Sequence, residues 1–289
     1  MKIYFHSDLD GRCAGAIVYQ ATRLEERYKK EKIELIELDY KDEIKVNEIH
    51  ICEMVYIVDF SFKPEIMEKV LLLTENVVWI DHHKTSFEYE YSKELKGLRD
   101  NKFSGCELAW KYFYPDRKMP RAVELIGDRD KWAWKHGKDT AFFNLGLKLY
   151  DHQPKDGIWE TLFNDTNGYH TKGIMSEGDI CLKFRDNFCE DYAKSYGFET
   201  EFEGYKCFAL GIYMFGSEAF GDRMKNYDIC LSFAYLGNNW TVGLYSDGKG
   251  IDVGKIAQKY GKKYGTSGGG HFGAAGFTSP ELPFKKKGI

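Results

Sequence analysis

The feature that most constrains this chain of 289 residues is a short apolar run that ends in one acid and two imidazoles. Val77 to Ile80 is a run of consecutive apolar residues, which is typical of a strand buried on both faces. Asp81, His82 and His83 follow it directly. Packing alone rarely places such groups at the end of a buried strand, because each needs a hydrogen bond or a ligand when it leaves water. The pattern therefore favours a metal site.

The first half of the chain alternates between two kinds of hydrophobic pattern. The patterns predict strands at Lys2 to His6, Ile33 to Tyr40 and Met54 to Asp59, and helices over Arg12 to Lys30 and after Pro64. Strands that alternate with helices indicate a parallel sheet covered by helices on both faces. We therefore expect an α/β fold for this half.

Polar residues lie at the ends of three predicted strands: Lys2 to His6, Met54 to Asp59 and Val77 to Ile80. In a parallel sheet, functional residues collect beyond the carboxyl ends of the strands, so residues far apart in sequence converge there. Carboxylates with imidazoles suit Mn²⁺, Mg²⁺ or Fe²⁺, and there are more candidate ligands than one ion needs. Two ions are the simplest interpretation, with Asp59 able to bridge them beside a nucleophilic water. The residues concerned are His6, Asp8, Asp10, Asp59, Asp81, His82 and His83.

Three motifs resemble those of the DHH phosphoesterase superfamily: His6-Ser7-Asp8-Leu9-Asp10-Gly11, Val58-Asp59-Phe60-Ser61 and Asp81-His82-His83. That superfamily includes single-strand exonucleases, oligoribonucleases, cyclic-dinucleotide phosphodiesterases, exopolyphosphatases and manganese pyrophosphatases. The resemblance implies two Mn²⁺ ions. One would be held by His6, Asp8 and Asp59, and the other by Asp10, Asp59, His82 and a later aspartate. Asp81 would help to orient the ligands without binding an ion itself, and His83 would face the substrate phosphate as a catalytic residue.

The later aspartate of the resemblance follows a hydrophobic and a small residue, which matches Ile126-Gly127-Asp128. Asp130 lies two residues further on and is the reserve for the same position. Upstream, Ser104 and Glu107 have the spacing of a capping box that begins a helix, and we expect their role to be structural.

The second half has a different pattern, and we expect domains at 1–150 and 197–289 joined by a helical connecting region at 151–196. A long helical stretch is predicted from about Gly173 to Tyr196, and strand patterns follow from Tyr205 onwards, indicating a smaller α/β domain. Gly268-Gly269-Gly270-His271 resembles the GGGH signature of the associated C-terminal DHHA1 domain. Glycines let a backbone approach a phosphate closely, which suits this segment to phosphate binding. The resemblance implies Gly268, Gly269, Gly270, His271 and Ser246 as the substrate-binding residues.

Composition limits the range of substrates and locations. The formal charge of −4 provides no positive field for long nucleic acid, so any nucleic-acid substrate should be short and no long duplex is expected. Seven widely spaced cysteines indicate reduced thiols. With no signal-peptide pattern and no run of membrane-spanning length, we expect a cytoplasmic protein that does not bind membranes. The sequence makes no prediction of oligomeric state.

The leading hypothesis is a Mn²⁺-dependent phosphodiesterase that cleaves short oligonucleotides or small nucleotide phosphodiesters. A rival hypothesis keeps the site but changes the substrate to polyphosphate or another small phosphate ester. A rival of another class is a non-catalytic scaffold that associates with nucleic acid, as in relatives that have lost their ligands. The presence of every expected ligand argues against this last hypothesis.

Overall fold

The structure, a computed structural model, describes residues 1–28, 31–247 and 250–286. The chain divides into two compact units, Met1–Leu182 and Lys183–Ile289. Within the described ranges, no helix combines the length and the apolar character needed to cross a bilayer.

The first unit confirms the predicted alternation of strands and helices. Its elements are β1 (Lys2–His6), α1 (Leu9–Leu24), β2 (Glu34–Leu38), β3 (Val55–Val58), α2 (Pro64–Leu73), β4 (Val77–Ile80), α3 (Gly105–Phe113), α4 (Arg121–Asp130), α5 (Lys138–Gly146), α6 (Gly157–Phe163) and the start of α7 (Tyr169–Tyr196). The bounds of β1 and β4 are those predicted from the sequence. α1 begins earlier than expected because Asp8 caps its first turn, and it also ends earlier, at Leu24.

All strands of the first sheet are parallel, in the order β2-β1-β3-β4. The register pairs Phe5 with Val58 and Val58 with Ile80, so the next residue of each strand lies in one row along the carboxyl edge. Because of this register, the polar residues that follow β1, β3 and β4 are neighbours in space.

Both faces of this sheet are buried, which explains why β3 and β4 are apolar throughout. On one face, Phe5 and Val58 pack in a core with α1 and α3. On the other face, Ile57 and Trp79 pack with residues of α2. The sheet is therefore a rigid support for the polar residues at its edge.

The second unit is the expected smaller α/β domain, reached through the C-terminal part of α7. Its elements are β5 (Phe198–Phe202), β6 (Tyr205–Leu210), α8 (Arg223–Asn226), β7 (Ile229–Tyr235), β8 (Trp240–Tyr245), α9 (Val253–Tyr264), β9 (Gly268–Gly270) and β10 (Ala274–Ser279). They form one mixed sheet in the order β5-β6-β7-β8-β10-β9, with α9 packed against β9 and β10. The fold class predicted from the sequence is thus confirmed.

Candidate metal centre

The end of β1 and the first turn of α1 supply His6, Asp8 and Asp10. Asp8 caps α1 by accepting a hydrogen bond of 2.9 Å from the Gly11 amide. Its second oxygen, Oδ2, lies 2.9 Å from His6 Nδ1. A Cβ atom at Gly11 would lie 2.3 Å from the His6 carbonyl oxygen, so only glycine lets this turn fold back on the strand.

Asp59 lies at the centre of the site and is almost completely buried, with 1% of its side chain exposed. Its φ of 51° is in the left-handed region, a conformation that non-glycine residues adopt mainly at functional sites and tight turns. The two carboxylate oxygens face different partners. Oδ2 lies 3.8 Å from His6 Nδ1, and Oδ1 lies 3.0 Å from His82 Nε2. Asp59 therefore connects two groups of side chains.

The start of α3 fixes Asp10. The carboxylate of Asp10 accepts hydrogen bonds from Ser104 Oγ at 2.8 Å, from the Gly105 amide at 2.6 Å and from the Cys106 amide at 3.0 Å. The predicted capping box of Ser104 and Glu107 is confirmed. The same turn thus has a second role that the sequence analysis missed, since it orients a candidate metal ligand through a helix N-terminus.

Asp130, and not Asp128, joins the group. Asp130 Oδ2 lies 3.5 Å from His82 Nε2, which in turn lies 3.8 Å from Asp10 Oδ2. The Asp128 carboxylate accepts hydrogen bonds from Thr140 Oγ1 and from the amides of Lys135 and His136. Its role is to hold the turn between α4 and α5. The geometry therefore favours Asp130, the reserve choice, over Asp128, and the identity of this ligand stays a prediction.

Asp81 is fully buried and accepts hydrogen bonds with both oxygens. Oδ1 accepts from the His82 amide at 2.8 Å and lies 2.6 Å from His83 Nδ1. Oδ2 accepts from Ser61 Oγ and from Ser86 Oγ. Burial alone would raise the pKa of Asp81, but these bonds and the neighbouring His83 hold it below its usual value. An ionised Asp81 therefore fixes the ring of His83 through Nδ1.

The centre carries more negative charge than the described side chains compensate. Burial, followed by the charges of Asp10, Asp8 and Asp130, raises the pKa of Asp59 well above its usual value. Burial and the charges of Asp10 and Asp8 raise the pKa of Asp130 to about 8. Carboxylates placed this close together destabilise one another unless a cation lies between them.

Despite the distances of 2.9 and 3.0 Å given above, four buried atoms at the centre make no hydrogen bond of acceptable geometry with any described residue: His6 Nδ1, both oxygens of Asp59, and His82 Nε2. Buried polar atoms without partners are rare in native proteins and need an explanation. These atoms belong to groups whose ligand atoms lie within 4.8 Å of one another: His6, Asp8 and Asp59; Asp10, His82 and Asp130; and Asp59, His82 and His83. The chemistry of the donor set, carboxylates with imidazoles, fits divalent cations.

In the second unit, the glycine run forms β9 and has clear packing reasons at two positions. A Cβ atom at Gly268 would lie 2.2 Å from the Ala257 carbonyl oxygen of α9, and Gly270 has a φ of 144°. A Cβ atom at Gly269 would make no such close contact, since the nearest atom, in the side chain of Gln258, would be 3.8 Å away. His271 is exposed, and the buried Ser246 Oγ makes no hydrogen bond within the described ranges.

The comparisons with known proteins agree with this architecture. Residues 1–127 match the family model described as DHH family, N-terminal domain, and residues 223–287 match the DHHA1 domain. An uncharacterized protein of Acanthamoeba polyphaga mimivirus is 28% identical over 141 residues, which is 48% of this chain and 31% of that protein. The matched part therefore spans about a third of that relative's length.

Two solved structures share the fold over nearly the whole chain. A DHH domain from a member of a ribosomal-protein family has a TM-score of 0.59 and 15% identity, with 96% of this chain and 82% of that chain covered. A pGpG-specific phosphodiesterase from Vibrio cholerae has a TM-score of 0.55 and 13% identity, with 96% and 92% covered.

Proposed function

Since the chain is a DHH-family protein with a DHHA1 domain in its C-terminal half, we propose that it is a Mn²⁺-dependent phosphodiesterase acting on short oligonucleotides or small nucleotide phosphodiesters. One observation carries the proposal. The two oxygens of the buried Asp59 face two separate groups of ligand atoms, one containing His6 and the other containing His82.

The proposed ligands follow from these two groups. His6, Asp8 and Asp59 would hold one ion, and Asp10, Asp59, His82 and Asp130 the other. Mg²⁺ or Fe²⁺ would fit the same donors. Bound ions of this kind lower the pKa of water and neutralise charge that develops on phosphoryl oxygens.

Groups in each of the two units are proposed to contact the substrate. The Asp81 carboxylate is hydrogen-bonded to His83 Nδ1. We propose that Nε2 of the same ring contacts an oxygen of the substrate phosphate. In the second unit, Gly269 and His271 are the proposed contacts for a terminal phosphate, and the buried Ser246 hydroxyl is a further candidate donor. The lack of a packing reason for glycine at position 269 supports a close approach of ligand to backbone there.

The proposed substrate class rests on charge and on relatives. A net charge of −4 disfavours long nucleic acid, whose binding depends on many basic contacts. One solved structure with this fold is a pGpG-specific phosphodiesterase, and we extend that substrate class to this chain as part of the proposal.

The test is product formation by the purified protein with Mn²⁺, comparing a 5′-phosphorylated dinucleotide, a long single strand, a cyclic dinucleotide and polyphosphate. We expect mononucleotides to be released fastest from the dinucleotide. Asp59→Asn is the control and should be folded but inactive, because it removes the charge shared by both groups. Cleavage of polyphosphate alone would leave the proposed site standing and overturn the substrate. An active, folded Asp59→Asn variant would overturn the mechanism.

A further inference from the structure

An exposed aromatic ring lies beside the metal centre and has no part in the function proposed above. Tyr40 follows β2, and the exposed fraction of the residue is 59%. The centre of its ring lies 5.3 Å from that of His6 and 6.0 Å from that of His83. The phenol therefore lies next to the residue that is proposed to contact the substrate phosphate.

One face of this ring lies on a fixed support. Tyr40 stacks on Phe60, with ring centres 5.0 Å apart and an angle of 26° between the planes. Phe60 is buried, and its carbonyl oxygen accepts a hydrogen bond of 3.1 Å from the indole of Trp79. Since Phe60 lies against one face and 59% of the residue's surface remains exposed, we take the opposite face as the one available to a ligand.

The backbone around Tyr40 is also held in place. The Asp39 amide donates to Asp42 Oδ2 at 2.7 Å, and the Asp42 amide donates to the Asp39 carbonyl at 2.9 Å. These two bonds close a turn whose second residue is Tyr40. The ring is thus ordered before any ligand arrives, which lowers the entropic cost of stacking on it.

We infer that Tyr40 is the stacking surface for the nucleobase of the nucleotide whose phosphate reaches His83, and that it makes the site select nucleotides over polyphosphate. The inference rests on the proposed function and identifies the nucleobase as the part of the substrate that Tyr40 binds. Every base has a planar face that stacks on an aromatic ring, so such a surface tolerates different bases. Polyphosphate has no planar group and gains nothing from it.

The kinetic test compares Tyr40→Leu with Tyr40→Phe, which keeps the ring. With a 5′-phosphorylated dinucleotide, we expect kcat/KM to fall about 5- to 150-fold in Tyr40→Leu, the range that the loss of one base stack gives. Tyr40→Phe should stay within about twofold of the wild type because the stacking face is retained. With a dinucleotide whose bases have been removed, all three proteins should be equal.

A binding measurement accompanies the kinetics. The probe is a 5′-phosphorylated dinucleotide that carries 2-aminopurine and a methylphosphonate linkage, which prevents cleavage. Stacking quenches 2-aminopurine fluorescence, so we expect quenching by the wild type and by Tyr40→Phe, but not by Tyr40→Leu. Circular dichroism and thermal melting should show that both variants are folded.

Two results would overturn the inference. One is an unchanged kcat/KM of Tyr40→Leu on the intact dinucleotide. The other is an equal loss on the base-free dinucleotide, which would mean that Tyr40 supports the rings of His6 and His83 instead of a base. If the wild type cleaves neither the linear nor the cyclic dinucleotide, the proposed function fails on its own. The fluorescence experiment then decides the inference: quenching that depends on the ring at position 40 supports it, and no such quenching overturns it.

Discussion

Asp128 and Asp130 lie two residues apart in the last turn of α4, yet their side chains serve different parts of the molecule. Each residue of an α-helix is rotated by about 100° from the last, so positions two apart point in nearly opposite directions. Asp128 turns toward Thr140 of α5, and Asp130 turns toward His82. The local motif Ile126-Gly127-Asp128 could not reveal this, because the choice depends on which face of α4 packs toward the sheet edge.

This difference predicts that two matched substitutions affect different properties, metal affinity in one case and stability in the other. Asp130→Asn should reduce Mn²⁺ affinity and activity by about 10- to 100-fold or more, the range found for groups that support metal sites. The metal-free protein should be at least as stable as the wild type, because the substitution removes a carboxylate that burial and the charges of Asp10 and Asp8 disfavour. Asp128→Asn should lower the free energy of unfolding by about 1–3 kcal/mol, because its amide cannot accept all of the bonds that the carboxylate accepts. Titration calorimetry with Mn²⁺ and urea unfolding measure the two effects. The reverse pattern would restore Asp128 as the ligand.

Gly105 lies against Asp59, and the absence of a side chain there has a testable consequence. A Cβ atom at Gly105 would lie 2.5 Å from Asp59 Cβ and 2.6 Å from Oδ1, so Gly105→Ala must displace the carboxylate. We expect Mn²⁺ affinity to fall by about tenfold or more. Gly157→Ala at the start of α6 is the matched control, since a Cβ atom there would meet nothing within 4 Å. Equal affinities of the two variants would contradict the assigned position of Asp59.

At the scale of single elements, the start of α7 depends on one carboxylate. Asp165 accepts hydrogen bonds from the amides of His170 and Thr171 and from Thr171 Oγ1, which satisfies amides in the first turn of the helix. Burial alone would raise the pKa of Asp165, but these hydrogen bonds hold it below its usual value. The ionised form is therefore the one that stabilises α7.

Asp165→Ala should consequently lower the free energy of unfolding by about 1 kcal/mol at pH 7. A lowered pKa in the folded state means that the stabilisation is complete above the unfolded pKa of about 4 and is lost as pH falls through the folded value. The difference between the wild type and the variant should narrow below about pH 4. Urea unfolding of both proteins at pH 7, 4 and 3 measures this. A difference independent of pH would show that the charge of Asp165 plays no part.

Elements with strong local patterns were predictable, and elements set by tertiary contacts were not. The bounds of β4 follow from its apolar run and the polar residues after it. In contrast, Gly268–Gly270 forms β9 although glycine disfavours strands, because pairing of Gly269 with Gly276 of β10 and packing on α9 fix it there. Tyr40 was missed as well, since nothing near it in sequence shows that Phe60 lies under its ring.

At the scale of the whole molecule, the proposed ligands all belong to one of the two units, Met1–Leu182. Mn²⁺ at about 100 times its dissociation constant should stabilise the state that binds it by about 2.7 kcal/mol. We expect hydrogen exchange to slow in that unit, above all in β1, β3, β4 and the first turn of α3, and to change little in Lys183–Ile289. Asp59→Asn should show no slowing. Equal protection of both units by Mn²⁺ would contradict the location of the site.

The order of the proposed ligands along the chain also determines when the centre can exist. His6, Asp8 and Asp10 come first, Asp59 and His82 follow, and Asp130 comes last. During translation, these first three side chains leave the ribosome long before Asp59, His82 and Asp130. Until then they cannot complete either of the proposed ion sites. Only a nascent chain that extends beyond α4 has every member of the centre. With the proposed ligands, the complete centre could bind metal only after Asp130 has left the ribosome, which happens before the whole chain has been made.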